Sequence, residues 1–241
     1  MVEKILNLIV SFFIETKYKY TRLRIRLRMS GKERNAPEEQ PIDIYWDPDF
    51  LKSVNSWGEG TAWNEILYFL INCHGKVIDV ACGPGHVMNI IQKRLNHIDL
   101  YGFDISEFLI EEAIKVGIHR EKLFIADATD TKFRENEFDY SYSMGSLEHF
   151  TEEGICQFLE ECHKYTRYIS FHQIPTSRFG KDEGWVTSGQ SYFNNSVEWW
   201  LKRFNSVYEE VEVFDSKWED GSSLGKWFVC IKNRPITTLP K

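Results

Sequence analysis

Val77-Ile-Asp-Val-Ala-Cys-Gly-Pro-Gly-His86 is a short apolar run carrying one carboxylate and closing on two glycines, at 83 and 85. Val77 to Val80, set between Gly75 and that loop, reads as a buried strand. Beyond it Val87, Met88, Ile91 and Leu95 recur at three- and four-residue steps, the spacing of one apolar helix face. Strand, glycine turn and helix start form a cradle for a polar ligand, because unpaired N–H groups point out of the helix and glycine admits close approach. A dinucleotide loop of the G-x-G-x-x-G type needs a third glycine where helix and strand touch; here that place is Met88. Asp79, just before the loop, repels a pyrophosphate and suits a ligand with a positive amino group.

The pattern D-x-x-C-G-x-G over Asp79 to Gly85 resembles the signature loop of the class I S-adenosylmethionine-dependent methyltransferases. The resemblance implies S-adenosyl-L-methionine as cofactor, with Asp79 near its methionyl end and the Ala81, Gly83 and Gly85 backbone wrapped around it. Further elements follow in the family's order. Asp99 to Phe103 is a second strand ending at Asp104, where an acid can accept hydrogen bonds from both ribose hydroxyls. Ser106 is a plausible N-cap for the helix that carries Phe108, Leu109, Ala113 and Ile114. Leu123 to Ala126 is a third strand; the resemblance assigns Asp127 to the exocyclic amine of adenine and Ala128 to a backbone contact, with Ile105 against the base. Phe138 to Ser143 is a fourth strand leading into Met144-Gly-Ser-Leu-Glu-His-Phe150, an element similar to the family's, in which Met144 and Gly145 lie beside the reactive sulfonium. A nicotinamide dehydrogenase would share the cradle and Asp104, but it fails at Met88 and leaves Asp127 without a role.

Two histidines are candidate bases. His149 lies on the substrate side of the fourth strand, where a group titrating near neutrality can take a hydroxyl proton as the methyl moves; the competing role is bracing the loop. His172 follows the fifth strand, Tyr168 to Phe171, at the same sheet edge, with a neutral core or loop histidine as the alternative. Thr151 to Lys164 reads as the intervening helix, with Glu152 and Glu153 in its first turn. Asn195-Ser196 opens a further helix, and Val207 to Phe214 with Trp227 to Ile231 form an antiparallel finish. The expected fold is α/β, a doubly wound, seven-stranded, mostly parallel sheet, with a basic N-terminal extension.

At 241 residues and 42% hydrophobic content the chain accommodates one such domain, residues 42–241, with residues 1–41 as arm and linker. Residues 1–34 hold nine Lys or Arg against three Glu, a surplus of six, so with −7 overall the remainder carries −13. The acidic body, together with the lack of a base-stacking N-P-P-Y/F-type motif, argues against nucleic acid as partner. Ile5 to Ile14 is short of the ~20 residues of a bilayer span. Arg22, Arg24, Arg26 and Arg28 alternate with Leu23, Ile25, Leu27 and Met29 in a pattern open to strand or helix. The arm suits peripheral membrane contact or packing on the body or a second subunit of a homodimer. Five cysteines without C-x-x-C spacing point to a reducing cytoplasm, and no metal site is expected.

In the family, segments before the first strand fold over the cofactor, so 42–60 is the expected lid, with Trp57, Glu59 and Gly60 as candidates for its substrate edge. Gly180 to Phe193 reads as a substrate-specificity loop. Trp57-Gly-Glu-Gly60, Trp63-Asn-Glu-Ile66, Leu147-Glu-His-Phe150 and Gly180-Lys-Asp-Glu-Gly-Trp185 together resemble methyltransferases of bacterial surface-polysaccharide biosynthesis. That resemblance implies a small-molecule or nucleotide-sugar acceptor, O-methylated on a capsule or lipopolysaccharide precursor or on its phosphoryl-type substituent. The alternatives are N-methylation of a small metabolite and a noncatalytic S-adenosylmethionine-binding protein.

Overall fold

The computed structural model describes residues 42–47, 50–51, 54–55, 57–186 and 190–235. The arm, its linker and their membrane or dimer contacts lie outside the described residues. Strands β1 (Gly75–Val80), β2 (Ile98–Asp104), β3 (Leu123–Ile125), β4 (Phe138–Met144), β5 (Thr166–Ser177), β8 (Glu210–Glu219) and β9 (Ser223–Ile231) form one sheet in the order β3-β2-β1-β4-β5-β9-β8. β1 pairs in parallel with both β2 and β4, β3 with β2, and β5 with β4, while β9 runs antiparallel to β5 and to β8. The chain therefore leaves β1 in one direction to reach β2 and β3, then crosses back to β4. A crevice opens at such a reversal, beyond the carboxyl ends of the strands.

Alternation along each strand sends neighbouring side chains into two separate cores. Ile78, Val80, Phe103, Phe138 and Ile174 face helices α4 (Glu152–Tyr165) and α5 (Val197–Phe204), whose Phe158, Leu159, Trp200 and Phe204 complete that layer. Val77, Leu100, Tyr142 and Phe171 face α1 (Ala62–Leu70), α2 (His86–Arg94) and α3 (Glu107–Lys115) through Ile66, Leu70, Met88, Ile91 and Ile110. The expected doubly wound architecture is thus formed. The expected N-cap is formed too: Ser106 Oγ accepts from Leu109 N at 3.2 Å, and Thr151 and Ser196 cap α4 and α5 in the same way.

The fifth strand differs most from expectation. It runs to Ser177 rather than Phe171, and its last eight residues, from Ser170, are all buried. Pairing with β4 ends at Gln173, while pairing with β9 continues to Ser177. Pro175 falls beyond the last β4 pair, where a missing N–H breaks no parallel ladder. His172 consequently sits inside the strand rather than at its tip.

Two glycines set the close approach of helix and sheet. Gly85 adopts φ 72°, and a Cβ there would lie 2.8 Å from Ala113 Cβ of α3. Met88, at the place of the missing third glycine, packs on Gly102 of β2, where a Cβ would meet its sulfur at 2.5 Å. The close contact is made, with the glycine on the strand instead of the helix. Gly85→Ala is expected to lower stability by about 2–4 kcal/mol, combining a left-handed non-glycine backbone with overpacking against α3. A urea melt showing a loss below about 0.5 kcal/mol would contradict this packing argument.

Candidate active site

The crevice is a cavity of about 710 Å³ at the carboxyl ends of the strands. Its first half is built by β1, β2 and β3. Asp79 points in from β1, 4% exposed, and Tyr142 from β4 donates to its Oδ2 at 2.7 Å. Burial holds this carboxyl well above the usual carboxylate range; the Tyr142 bond opposes that, and nearby Asp104 adds to it. The following loop turns through Ala81 at φ 56° and Gly83 at φ 53°, a left-handed conformation that a non-glycine residue holds only under constraint. The constraint is visible: Cys82 N donates to Phe103 O at 2.8 Å, and Gly83 N donates to Asp104 Oδ2 at 2.9 Å.

Asp104 closes β2 at 6% exposure, its other oxygen accepting from Ser106 N at 2.9 Å. Burial raises its pKa to about 6, against the backbone N–H bonds that favour the ion. Each carboxylate oxygen has room for a second bond, so both sides of Asp104 can still accept from hydroxyls. Ser106 Oγ also donates to Tyr45 O at 2.7 Å, tying the 3-10 turn Asp43–Trp46 to the start of α3. Beyond β3, exposed Asp127 uses Oδ1 to accept from Thr129 N and Oγ1, at 2.8 and 2.7 Å, which turns Oδ2 loose for a ligand. Ile105, Leu109, Ala126 and Ala128 give this end apolar walls.

The second half lies over β4 and β5. Met144, Gly145 and Ser146 leave β4 there, followed by the 3-10 turn Leu147–His149. Trp57 presses on Gly145 so closely that a Cβ would lie 2.6 Å from its ring, and it packs on Trp218 with ring centres 5.3 Å apart. His149 lines the cavity with Nδ1 2.8 Å from Ser191 O. A carbonyl only accepts, so Nδ1 carries the proton of the neutral ring and Nε2 keeps a lone pair. Burial lowers the His149 pKa to about 4, with the Ser191 and Gly145 carbonyls pulling the other way. The ring is therefore neutral across the physiological range.

Most residues singled out in the sequence meet at this cavity: Asp79, Ala81, Gly83, Asp104, Ile105, Asp127, Ala128, Met144 and His149 all line it. Gly85 and His172 do not. Gly85 faces α3, and its N–H is used internally, donating to Cys82 O at 3.1 Å. His172 is wholly buried between Phe158 and Phe204, bonded through Nδ1 to Ser143 Oγ at 2.8 Å, and burial lowers its pKa to about 3. A side chain with no surface toward the cavity cannot reach an acceptor, so His172 is withdrawn as a base. Of the candidates named for the expected lid, Trp57 lines the cavity, whereas Glu59 and Gly60 are exposed to solvent. Of the 180–193 loop, Gln190 and Tyr192 reach the cavity, while Trp185 and Phe193 pack into the core from the hairpin β6 (Trp185–Val186) and β7 (Tyr192–Phe193).

Several residues that shape the cavity carried no sequence signal. Tyr142 acts on it from the core, through its bond to Asp79, and Glu148 lines it beside His149. Trp218 and Asp220 arrive from the β8–β9 hairpin, far along the chain. Among the described residues no group of three or more His, Cys, Asp or Glu is placed to hold a metal ion. None of the described helices is long and apolar enough to cross a membrane.

The sheet order and flanking helices are those of the Rossmann-like methyltransferase fold. Residues 77–168 match the family model described as a methyltransferase domain. Among curated proteins, the demethylmenaquinone methyltransferase of Thermotoga maritima is 25% identical over 118 residues, 48% of this chain and 50% of that protein. The chain thus matches about half the length of this curated relative. Among solved structures, Burkholderia thailandensis 1,6-didemethyltoxoflavin-N1-methyltransferase, with bound 1,6-didemethyltoxoflavin and S-adenosylhomocysteine, aligns at TM-score 0.61 and 16% identity, over 82% of this chain and 93% of that one. A putative methyltransferase in complex with the Haloferax volcanii Trm112 methyltransferase activator aligns at 0.59 and 14%, over 80% and 99%. At these identities the structural likeness defines the fold.

Proposed function

We propose that this protein is an S-adenosylmethionine-dependent methyltransferase acting on a small-molecule acceptor. The observation that carries the reading is the placement of Asp79, Asp104 and Asp127 at three successive strand ends around one cavity. Asp79 would pair with the cofactor's ammonium group, Asp104 would accept from the ribose hydroxyls, and the unoccupied Oδ2 of Asp127 would accept from the adenine amine. The Ala81–Gly83 backbone and Ala128 would line the cofactor's path, with Ile105 against the base and Met144 toward the acceptor. When bound, S-adenosylmethionine supplies an electrophilic methyl group. The protein's own contribution is to hold the acceptor in line with that group and to exclude water. His149 Nε2 is the atom that takes the acceptor's proton.

The acceptor half of the cavity, walled by Trp57, Tyr192 and Trp218, argues for catalysis over cofactor binding alone. The motifs shared with surface-polysaccharide methyltransferases support a sugar hydroxyl as the acceptor, in a cytoplasmic enzyme whose basic arm, 1–34, keeps it near a membrane or a second copy. N-methylation of a small metabolite is the second reading, favoured by the carboxyls Glu148 and Asp220 at the acceptor end.

Calorimetry with S-adenosylhomocysteine and with NAD tests the cofactor. Binding of the former and not the latter is expected, with a proton released, because an ammonium group favours the ionised form of Asp79. The sign follows from the raised Asp79 pKa: affinity strengthens as pH rises toward and through that pKa and weakens below it. Asp79→Asn should abolish the proton release. Tight NAD binding, or release unchanged in the variant, would remove this reading.

A further inference from the structure

The acceptor half of the cavity has a charge pattern that the cofactor does not account for. Glu148 is 2% exposed, and its Oε2 has no hydrogen-bond partner. Its Oε1 lies 3.6 Å from His149 Nε2. Burial pushes the Glu148 pKa up to about 8. A buried carboxyl oxygen with no donor is costly, and a ligand that supplies the donor recovers that cost on binding. The second carboxylate, Asp220, already holds Ser222 N and Ser223 N on Oδ1, each at 2.7 Å. Trp57 and Trp218, packed on each other, line the same cavity, and the Tyr192 ring stands edge-on to His149 at 6.3 Å. Among the described residues lining the cavity there is no Lys or Arg.

We infer that the acceptor carries an amino group, held as an ammonium ion by Glu148 within the wall of Trp57, Trp218 and Tyr192, and that it brings no phosphate into the cavity. This rests on the methyl-transfer reading and narrows its acceptor. A phosphate would meet two carboxyls with no guanidinium or ammonium among the described residues lining the cavity to pair with it. A plain hydroxyl would satisfy Glu148 Oε2, but it would leave the aromatic faces and Asp220 without the positive charge that both attract. An ammonium ion answers all three features, and its arrival ionises Glu148. An amino sugar without an attached phosphate meets the requirement and agrees with a sugar acceptor. The phosphoryl-type substituent and the nucleotide sugar do not.

The test uses the full chain, methyl-labelled S-adenosylmethionine and a small-molecule extract of the organism that carries the gene, with the products separated by ion exchange at neutral pH and label counted above an enzyme-free control, because the unreacted cofactor is itself a cation. Label is expected on the cation exchanger, and acetylation of the extract's amines beforehand should abolish it. Label retained by the anion exchanger, or passing through both, would overturn the inference while leaving methyl transfer intact. No label at all, despite tight S-adenosylhomocysteine binding, would remove the methyl-transfer reading and this inference with it. Glu148→Gln should raise KM for the labelled acceptor about 10- to 100-fold, the effect of losing a charge-assisted bond. Its S-adenosylhomocysteine affinity should stay within about twofold, which checks that the variant folds and keeps its cofactor site. An unchanged KM would count against Glu148 as the recognising group.

Discussion

Asp104→Ala is expected to weaken S-adenosylhomocysteine binding by about 100-fold or more, the largest effect of any single change at the cofactor end. Two hydroxyl bonds to an ionised carboxylate contribute about 1.5–3 kcal/mol each. The substitution also takes away the acceptor for Gly83 N and Ser106 N, both at 2.9 Å, so the loop after β1 loses its tie to β2. Calorimetry measures the affinity, and a denaturant melt separates loss of binding from loss of fold. Wild-type affinity in a folded variant would mean that this carboxylate does not hold the ribose.

His149→Ala should lower kcat by about 10²–10⁴, the usual range for removal of a general base, with S-adenosylhomocysteine affinity nearly unchanged. The direction of the pH dependence follows from the lowered pKa. The ring must be neutral to accept a proton, so kcat at saturating cofactor and acceptor should fall on the acid side through a pKa near 4. That limb should be absent in the variant. Turnover within about threefold of wild type would reduce His149 to a brace for the loop, held by Ser191 O.

Local pattern revealed the cofactor end well. Asp79, Asp104 and Asp127 each stand at the end of a short apolar run, and in a parallel sheet every such run finishes at the same edge. Their convergence follows from topology without knowledge of any distant contact. The acceptor end was less legible, because it is assembled from Trp57, Glu148, Tyr192, Trp218 and Asp220, which only tertiary structure brings together. His172 shows where the reading failed. The apolar run Tyr168 to Phe171 looked complete, but β5 continues through Ser177 because its antiparallel partner β9 extends it past the end of β4. His172 then shares a face with Ile174, within the α4–α5 core layer, and Pro175 occupies the level expected for a site residue. Gly85 failed differently. Its glycine was explained by ligand approach, whereas the space it saves is taken by Ala113.

The cavity's two halves draw on separate stretches of chain. Residues 79 to 128 furnish one end, and the wall of the other comes mainly from residues 144 to 220, joined by Trp57 from before α1. Descendants of this gene can therefore trade one metabolite for another by rewriting Gln190, Tyr192 and the hairpin bearing Trp218 and Asp220. The end bearing Asp79, Asp104 and Asp127, tied by the Gly83 and Ser106 amides to Asp104, would pass through such changes intact.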